Sequence, residues 1–175
     1  MTGTLLTARQ IRQLLTALNE ELALRDLRGD VFIIGGAVMC LVFAAREATR
    51  DVDAVFAPVR ELREAAARVA TAADVPADWL NDAAKGYLAA QGSFAPFLAL
   101  SHLKVSTATP EYLLAMKCLA MRLGPEFHDE ADVRFLLRYL NIATYAAALE
   151  VIERFYPIAR FPQKTLHALE EILGG

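Results

Sequence analysis

Two aspartates separated by a single residue, Asp51 and Asp53, are the side chains whose type and spacing point most directly to chemistry. Alternate residues of an extended segment share a face, so the two carboxylates project together while Val52, Ala54 and Phe56 pack behind them. Two neighbouring negative charges repel. In a partly dry setting that repulsion is relieved most simply by a hard divalent cation, which takes oxygen ligands and keeps positions for water and phosphate. The spacing therefore predicts a metal seat, with Asp51 and Asp53 as its protein ligands. The competing reading is a solvated strand edge, or pairing with Arg46 and Arg50, but charges interleaved with Val52, Ala54 and Val55 sit awkwardly in a buried strand unless something binds them.

Upstream, the apolar run Val31 to Ile34 ends in Gly35-Gly36. Glycine lets backbone N–H groups approach a ligand closely, and the start of a following helix favours an anion. Alone, such a pair is an ordinary strand-to-helix turn; with two acids downstream it reads as a phosphate-binding turn. Thr49 and Arg50 stand beside the acids, either to steady phosphate and fix the aspartate rotamers or as plain strand-entry residues.

The elements that must hold these groups follow from apolar spacing. Ile11, Leu14, Leu15, Leu18, Leu22 and Leu24 recur at roughly helical intervals behind Thr7, a capping residue type, which predicts a helix to about Leu27 ended by Gly29. Val31 to Ile34 reads as a buried strand, Ala37 to Ala45 as a helix opened by the glycines, Asp51 to Phe56 as a second strand, and Pro58 to Ala72 as an amphipathic helix. Between 73 and 101 the pattern is irregular. Trp79 to Asp82 predicts a capped turn or short helix, and Phe97 to Leu100 and Leu103 to Ser106 predict two short strands. From Pro110 the periodicity is helical, over Glu111 to Leu123, Glu126 to Leu140, Thr144 to Phe155 and Thr165 to Leu173. The expected fold class is α/β in the loose sense, an α+β arrangement with a small mixed β-sheet flanked by helices and a helical C-terminal part. Residues 1–109 are expected to form the α/β core with its N-terminal helix, and 110–175 a helical part sharing the same core.

At 175 residues and 55% hydrophobic content, the chain can bury a substantial core. Its apolar runs are short and broken by charge, and no basic-then-apolar leader opens it, so a cytoplasmic protein without membrane contact is expected. Cys40 and Cys118 sit singly in apolar helical patterns, as buried thiols rather than a disulfide or metal pair. A net charge of −3 argues against wholesale capture of nucleic acid and leaves room for a local basic patch. Arg60, Arg63 and Arg68, interleaved with Glu61 and Glu64, read as a solvated face. His128 at an acidic helix start reads as solvent-facing, and Trp79 and Tyr87 read as core before base-stacking platforms. No Gly-x-Gly-x-x-Gly follows the first strand, which removes a redox Rossmann domain.

Gly35-Gly36 followed by a helix, then Thr49-Arg50-Asp51-Val52-Asp53 on a strand, resembles the signature of the DNA-polymerase-β-like nucleotidyltransferase superfamily. More narrowly, the small size, the run Pro110-Glu111-Tyr112-Leu113-Leu114-Ala115-Met116-Lys117 and the later Asp129 and Asp132 are similar to minimal nucleotidyltransferases found as toxins in toxin–antitoxin and abortive-infection systems. The resemblance covers residues 31 to 140 and implies a nucleoside triphosphate (NTP) as substrate and Mg2+ or Mn2+ as cofactor. It implies transfer of a nucleotide to an acceptor such as RNA, the 3′ end of tRNA or a protein hydroxyl, with a cognate antitoxin as partner. It also implies that Lys117 holds the triphosphate, with Asp132 orienting it. By the residues alone, Lys117 equally reads as a snorkelling surface lysine and Asp129 as an acid favoured in a first helical turn. The chain departs from the pattern in having no acid on the Leu103 to Ser106 strand, where a third carboxylate would stand. The alternative function is a catalytically inactive relative acting as a protein-binding module.

Overall fold

The computed structural model describes residues 3–174. A two-residue strand, β1 (Leu6–Thr7), leads into helix α1 (Ala8–Leu24), whose start is fixed by a capping box. The Gln10 backbone N–H donates to the Thr7 hydroxyl at 3.2 Å, and the Thr7 N–H donates to the Gln10 side-chain oxygen at 2.8 Å. Ile11, Leu14, Leu15, Leu18 and Leu22 form its buried stripe, whereas Leu24, predicted to join them, is the last residue of the helix and is 78% exposed. The helix stops at Leu24, and Asp26, at φ 51°, turns the chain. Gly29 therefore opens the next strand instead of ending the helix; a Cβ there would meet Leu62 at 3.0 Å.

The chain continues through β2 (Gly29–Ile34), a short helix α2 (Gly36–Leu41), β3 (Ala48–Thr49), β4 (Val52–Ala57) and helix α3 (Val59–Ala73). A two-residue strand β5 (Leu80–Asn81) stands where a capped turn was predicted, followed by a 3-10 turn over Ala83–Tyr87. The hairpin β6 (Phe94–Ala99) and β7 (Leu103–Ala108) then completes a mixed five-stranded sheet in the order β5-β4-β2-β7-β6, while β1 and β3 pair separately. β2 is antiparallel to β4 and parallel to β7, so it runs through the middle, and Val31, Ile33 and Ile34 are buried accordingly. α1 packs on α3 and β7, and α3 on β4. Beneath α3 lies Trp79, fully buried, its Nε1 donating to the Ala66 carbonyl at 2.9 Å, so the polar end of this core aromatic is satisfied. The β6–β7 turn is tied to α1 through Asn19, whose side-chain oxygen accepts from the His102 N–H at 2.7 Å.

The chain forms two compact units, and these elements with residues to Gly86 and 94–108 make the first. The second holds residues 87–93 and everything from Thr109, and is helical: α4 (Pro110–Leu119), α5 (Asp129–Tyr139), α6 (Tyr145–Ile152) and α7 (Gln163–Ile172). Pro110 sits in the first turn of α4, where a missing N–H costs nothing. Tyr112 to Met116, Cys118 and Leu119 are all buried because α5, α6 and α7 each pack on α4. The boundary predicted at 109/110 falls at Ala108/Thr109, with one excursion added. Residues 87–93 join the helices because the Ala89 N–H donates to the Tyr112 hydroxyl at 2.9 Å and the Tyr156 hydroxyl donates to the Tyr87 carbonyl. The fold is α+β. Among the described residues, no helix is long and apolar enough to cross a membrane.

Candidate functional site

β4 begins one residue later than predicted, so Asp51 stands at its entrance and Asp53 within it. Val52, Ala54 and Phe56 are sealed while Asp51, Asp53 and Val55 are half-buried, an alternation that puts both carboxylates on one side of the strand. In the ladder Asp53 faces Ile34, the last residue before the glycine pair, and this brings its carboxylate to that turn. Its Oδ2 lies 3.0 Å from where a Cβ on Gly35 would stand, and Gly35 adopts φ 72°, which L side chains rarely do. Gly36 is glycine for a different reason. A Cβ there would run into the guanidinium of Arg46 and come within 3.1 Å of Thr49 Oγ1. Because α2 is shorter than predicted, its macrodipole is small, and the turn is distinguished instead by the side chains gathered on it.

Of the two residues expected beside the acids, only Thr49 meets the glycines. Arg50 is exposed, with its Nε 4.0 Å from a Cβ built on Gly3. Arg46, read from the sequence only as a counter-ion, is the arginine at the turn.

Asn81 is a site residue that the sequence reading missed. β5 runs parallel to β4 with Asn81 opposite Asp53, and the Asn81 side chain is near enough to Asp51 to favour its ionised form. One amide thus adjoins both acids. It is itself held, since its Nδ2 donates to the Asp78 carbonyl at 3.2 Å and its Oδ1 accepts from the Ala83 N–H at 3.1 Å. Burial pushes the Asp51 carboxyl above its ordinary range. The Asn81 side chain draws it back, the charge of Asp78 pushes with burial, and Arg50 opposes. The strand expected to offer a third acid, β7, is separated from β4 by β2; the position beside the pair belongs to β5 and carries an amide.

In the helical unit, Lys117 Nζ lies 2.8 Å from Asp132 Oδ2 and 3.6 Å from Asp129 Oδ1, so Asp132 is the nearer partner. Asp129 Oδ2 also accepts from the Arg122 Nε–H and the Arg122 backbone N–H, both at 2.9 Å. Both aspartates are only 5% exposed and the Lys117 side chain 12%, which removes the snorkelling reading. Burial alone would raise the Asp129 carboxyl, but the Arg122 donors and the Lys117 charge outweigh it and hold the group below its usual range. His128 is exposed, as predicted. Cys118 is fully buried with its thiol pushed up to about 12, and Cys40 is buried as well, so neither is a poised nucleophile.

Among the described residues, no group of three or more His, Cys, Asp or Glu gathers as metal ligands. The aspartate pair offers two carboxylates, and a hard cation there would complete its sphere from phosphate and water. An open depression of about 380 Å³ runs along α1 past Arg9, Arg12 and Glu20 and includes none of the candidate residues. The chain matches no protein-family model, no curated protein and no solved structure.

Proposed function

We propose that the Asp51–Asp53 face belongs to a metal-dependent nucleotidyltransferase that moves a nucleoside monophosphate from an NTP to a hydroxyl of RNA, tRNA or a protein. In this reading the enzyme is of toxin type, acting in the cytoplasm with a cognate antitoxin as partner. One observation carries the reading: the Asp53 carboxylate rests on Gly35, Asp51 stands on the same side through Asn81, and Thr49 and Arg46 rest on Gly36, so acids, hydroxyl and guanidinium converge on one turn.

These residues fit Mg2+ or Mn2+. Asp51 and Asp53 are half-buried like charges, and the neighbourhood of Asp51 disfavours its ionised form, a cost that a bound cation would remove. Such a cation would neutralise charge on the transferring phosphoryl group and on the departing pyrophosphate. Within the chain, Asp51 and Asp53 would hold it, Asn81 would steady Asp51, and the Thr49 hydroxyl would offer a hydrogen bond at the turn. A carboxylate oxygen not engaged by the cation would take the proton of the acceptor hydroxyl. Lys117, shared between two buried carboxylates, is assigned no step.

Purified protein incubated with each labelled NTP, Mg2+ or Mn2+, and either total RNA or lysate protein should label one of the two pools. Asp51→Asn and Asp53→Asn should abolish the labelling. If neither pool takes up label from any NTP, the enzyme reading fails and the protein-binding module replaces it.

A further inference from the structure

We infer that Arg46 is the residue that receives the phosphate tail of the substrate at this turn, an inference that rests on the nucleotidyltransferase reading above. Two acids and one divalent cation cancel each other's charge, so an incoming triphosphate needs further positive charge from the protein. Three cations are candidates. Lys117 belongs to the second compact unit, not to the one that holds the turn, and Arg50 is exposed with its Nε toward Gly3. Arg46 alone has its guanidinium on the glycine pair, packed against Gly36 so closely that no side chain fits beneath it.

How Arg46 is held also suits the task. Its Nε is sealed from solvent and its Nη1 and Cζ lie against Gly36, while the residue as a whole is only half-buried, so the head group is held at the turn. A guanidinium is a rigid planar fork of N–H donors that matches two phosphate oxygens at once, and fixing it beforehand reduces the entropy lost on binding. The Thr49 hydroxyl reaches the same glycine and adds a neutral donor beside the charged one. Gly36 thereby acquires a specific reason to be glycine: it makes room for the guanidinium that meets the phosphate, while Gly35, at φ 72°, makes the turn and abuts Asp53. Acid and base rest on adjacent residues, one for the cation and one for the anion it accompanies.

The test is calorimetric titration of wild type, Arg46→Gln, Arg46→Lys and Arg50→Gln with magnesium tripolyphosphate, with each NTP and with the matching nucleoside monophosphate. Loss of a charge-assisted fork should weaken tripolyphosphate and NTP binding by about tenfold or more in Arg46→Gln, and lower the preference for triphosphate over monophosphate with it. Arg46→Lys, which keeps the charge without the fork, should fall between, and Arg50→Gln should bind as wild type does. Wild-type binding that persists unchanged in Arg46→Gln, or a loss equal for triphosphate and monophosphate, overturns the inference and leaves the nucleotidyltransferase reading intact. Wild type that binds no triphosphate overturns both. Should both Arg46 variants fail to fold, the arginine Nε–H resonances of wild type decide: one sheltered from exchange must move when magnesium tripolyphosphate is added, and its failure to move counts against the inference.

Discussion

Asp51 and Asp129 are both aspartates beside an arginine, one in each compact unit, yet their carboxyl groups shift in opposite directions. Asp129 is the more buried of the two, at 5% exposure, and would be the more strained if burial decided the matter. It is not, because Arg122 gives it two donors at 2.9 Å and Lys117 adds a charge, while Lys117 also holds Asp132. That cluster satisfies itself, with two cations serving two carboxylates. Around Asp51, burial and Asp78 oppose ionisation more strongly than Asn81 and Arg50 support it. A self-satisfied cluster reads as structure; a half-exposed carboxylate such as Asp51, whose surroundings disfavour its charge, has a use for one more cation. Residue type alone would have ranked the two clusters equally.

The largest effect that would sharpen this contrast is expected from Lys117→Met. Removing one member of a buried ion cluster leaves carboxylates without their partner, so about 3 to 5 kcal/mol of stability should be lost in urea unfolding. A loss below about 1 kcal/mol would mean that the cluster is not structural. Next comes Gly35→Ala, where a left-handed backbone and the Asp53 carboxylate both resist a methyl group; about 1 to 2 kcal/mol should be lost. An unchanged urea midpoint would show that the turn can relax and that Asp53 is not held against it.

A pH series separates the two acids by sign. The Asp129 pKa is depressed on folding, so between its folded value and the unfolded value near 3.9 the unfolded chain binds more protons and stability rises with pH. This stabilisation is complete only above about pH 5, where the unfolded carboxyl is ionised as well, and is lost progressively as the pH falls through the unfolded and then the folded value. Asp129→Asn should therefore flatten the acid limb of the stability curve measured by urea unfolding; a limb parallel to that of wild type would contradict the paired geometry. The smallest stability effect is expected at the site itself. Asp51→Asn and Asp53→Asn remove like charges and should melt within about 1 kcal/mol of wild type, or above it, as charged functional residues tend to do when neutralised. A loss comparable to that of Lys117→Met would place the pair among the structural ions instead.

Where local physics decides the outcome, the sequence was legible. Thr7 announces the start of α1, the leucine spacing gives its buried stripe except for Leu24, and the apolar run Val31 to Ile34 gives the central strand. The alternation through Asp51 and Asp53 was readable for the same reason, since the side-chain period of a strand is a local property. Two-residue strands have no period to read. β5, β1 and β3 exist only through long-range pairing, and with β5 goes Asn81, whose place beside both acids depends on the register of a distant segment. Arg46 was equally hidden, because a loop side chain is located by what it packs on, here a glycine ten positions earlier. α4 ends at Leu119 instead of Leu123, and α5 starts at Asp129 instead of Glu126. The Arg122 N–H between them donates to the Asp129 carboxylate, a contact that helical periodicity does not encode.

Titration of each NTP into wild type, Asp51→Asn and Asp53→Asn, with magnesium and with chelator, tests the central claim most directly. Wild type should bind a triphosphate only when magnesium is present, and each substitution should weaken that binding by about tenfold or more while leaving the melting transition in place. Binding that is indifferent to magnesium and to both substitutions, or no binding by wild type at all, would contradict a cation seat at Asp51 and Asp53.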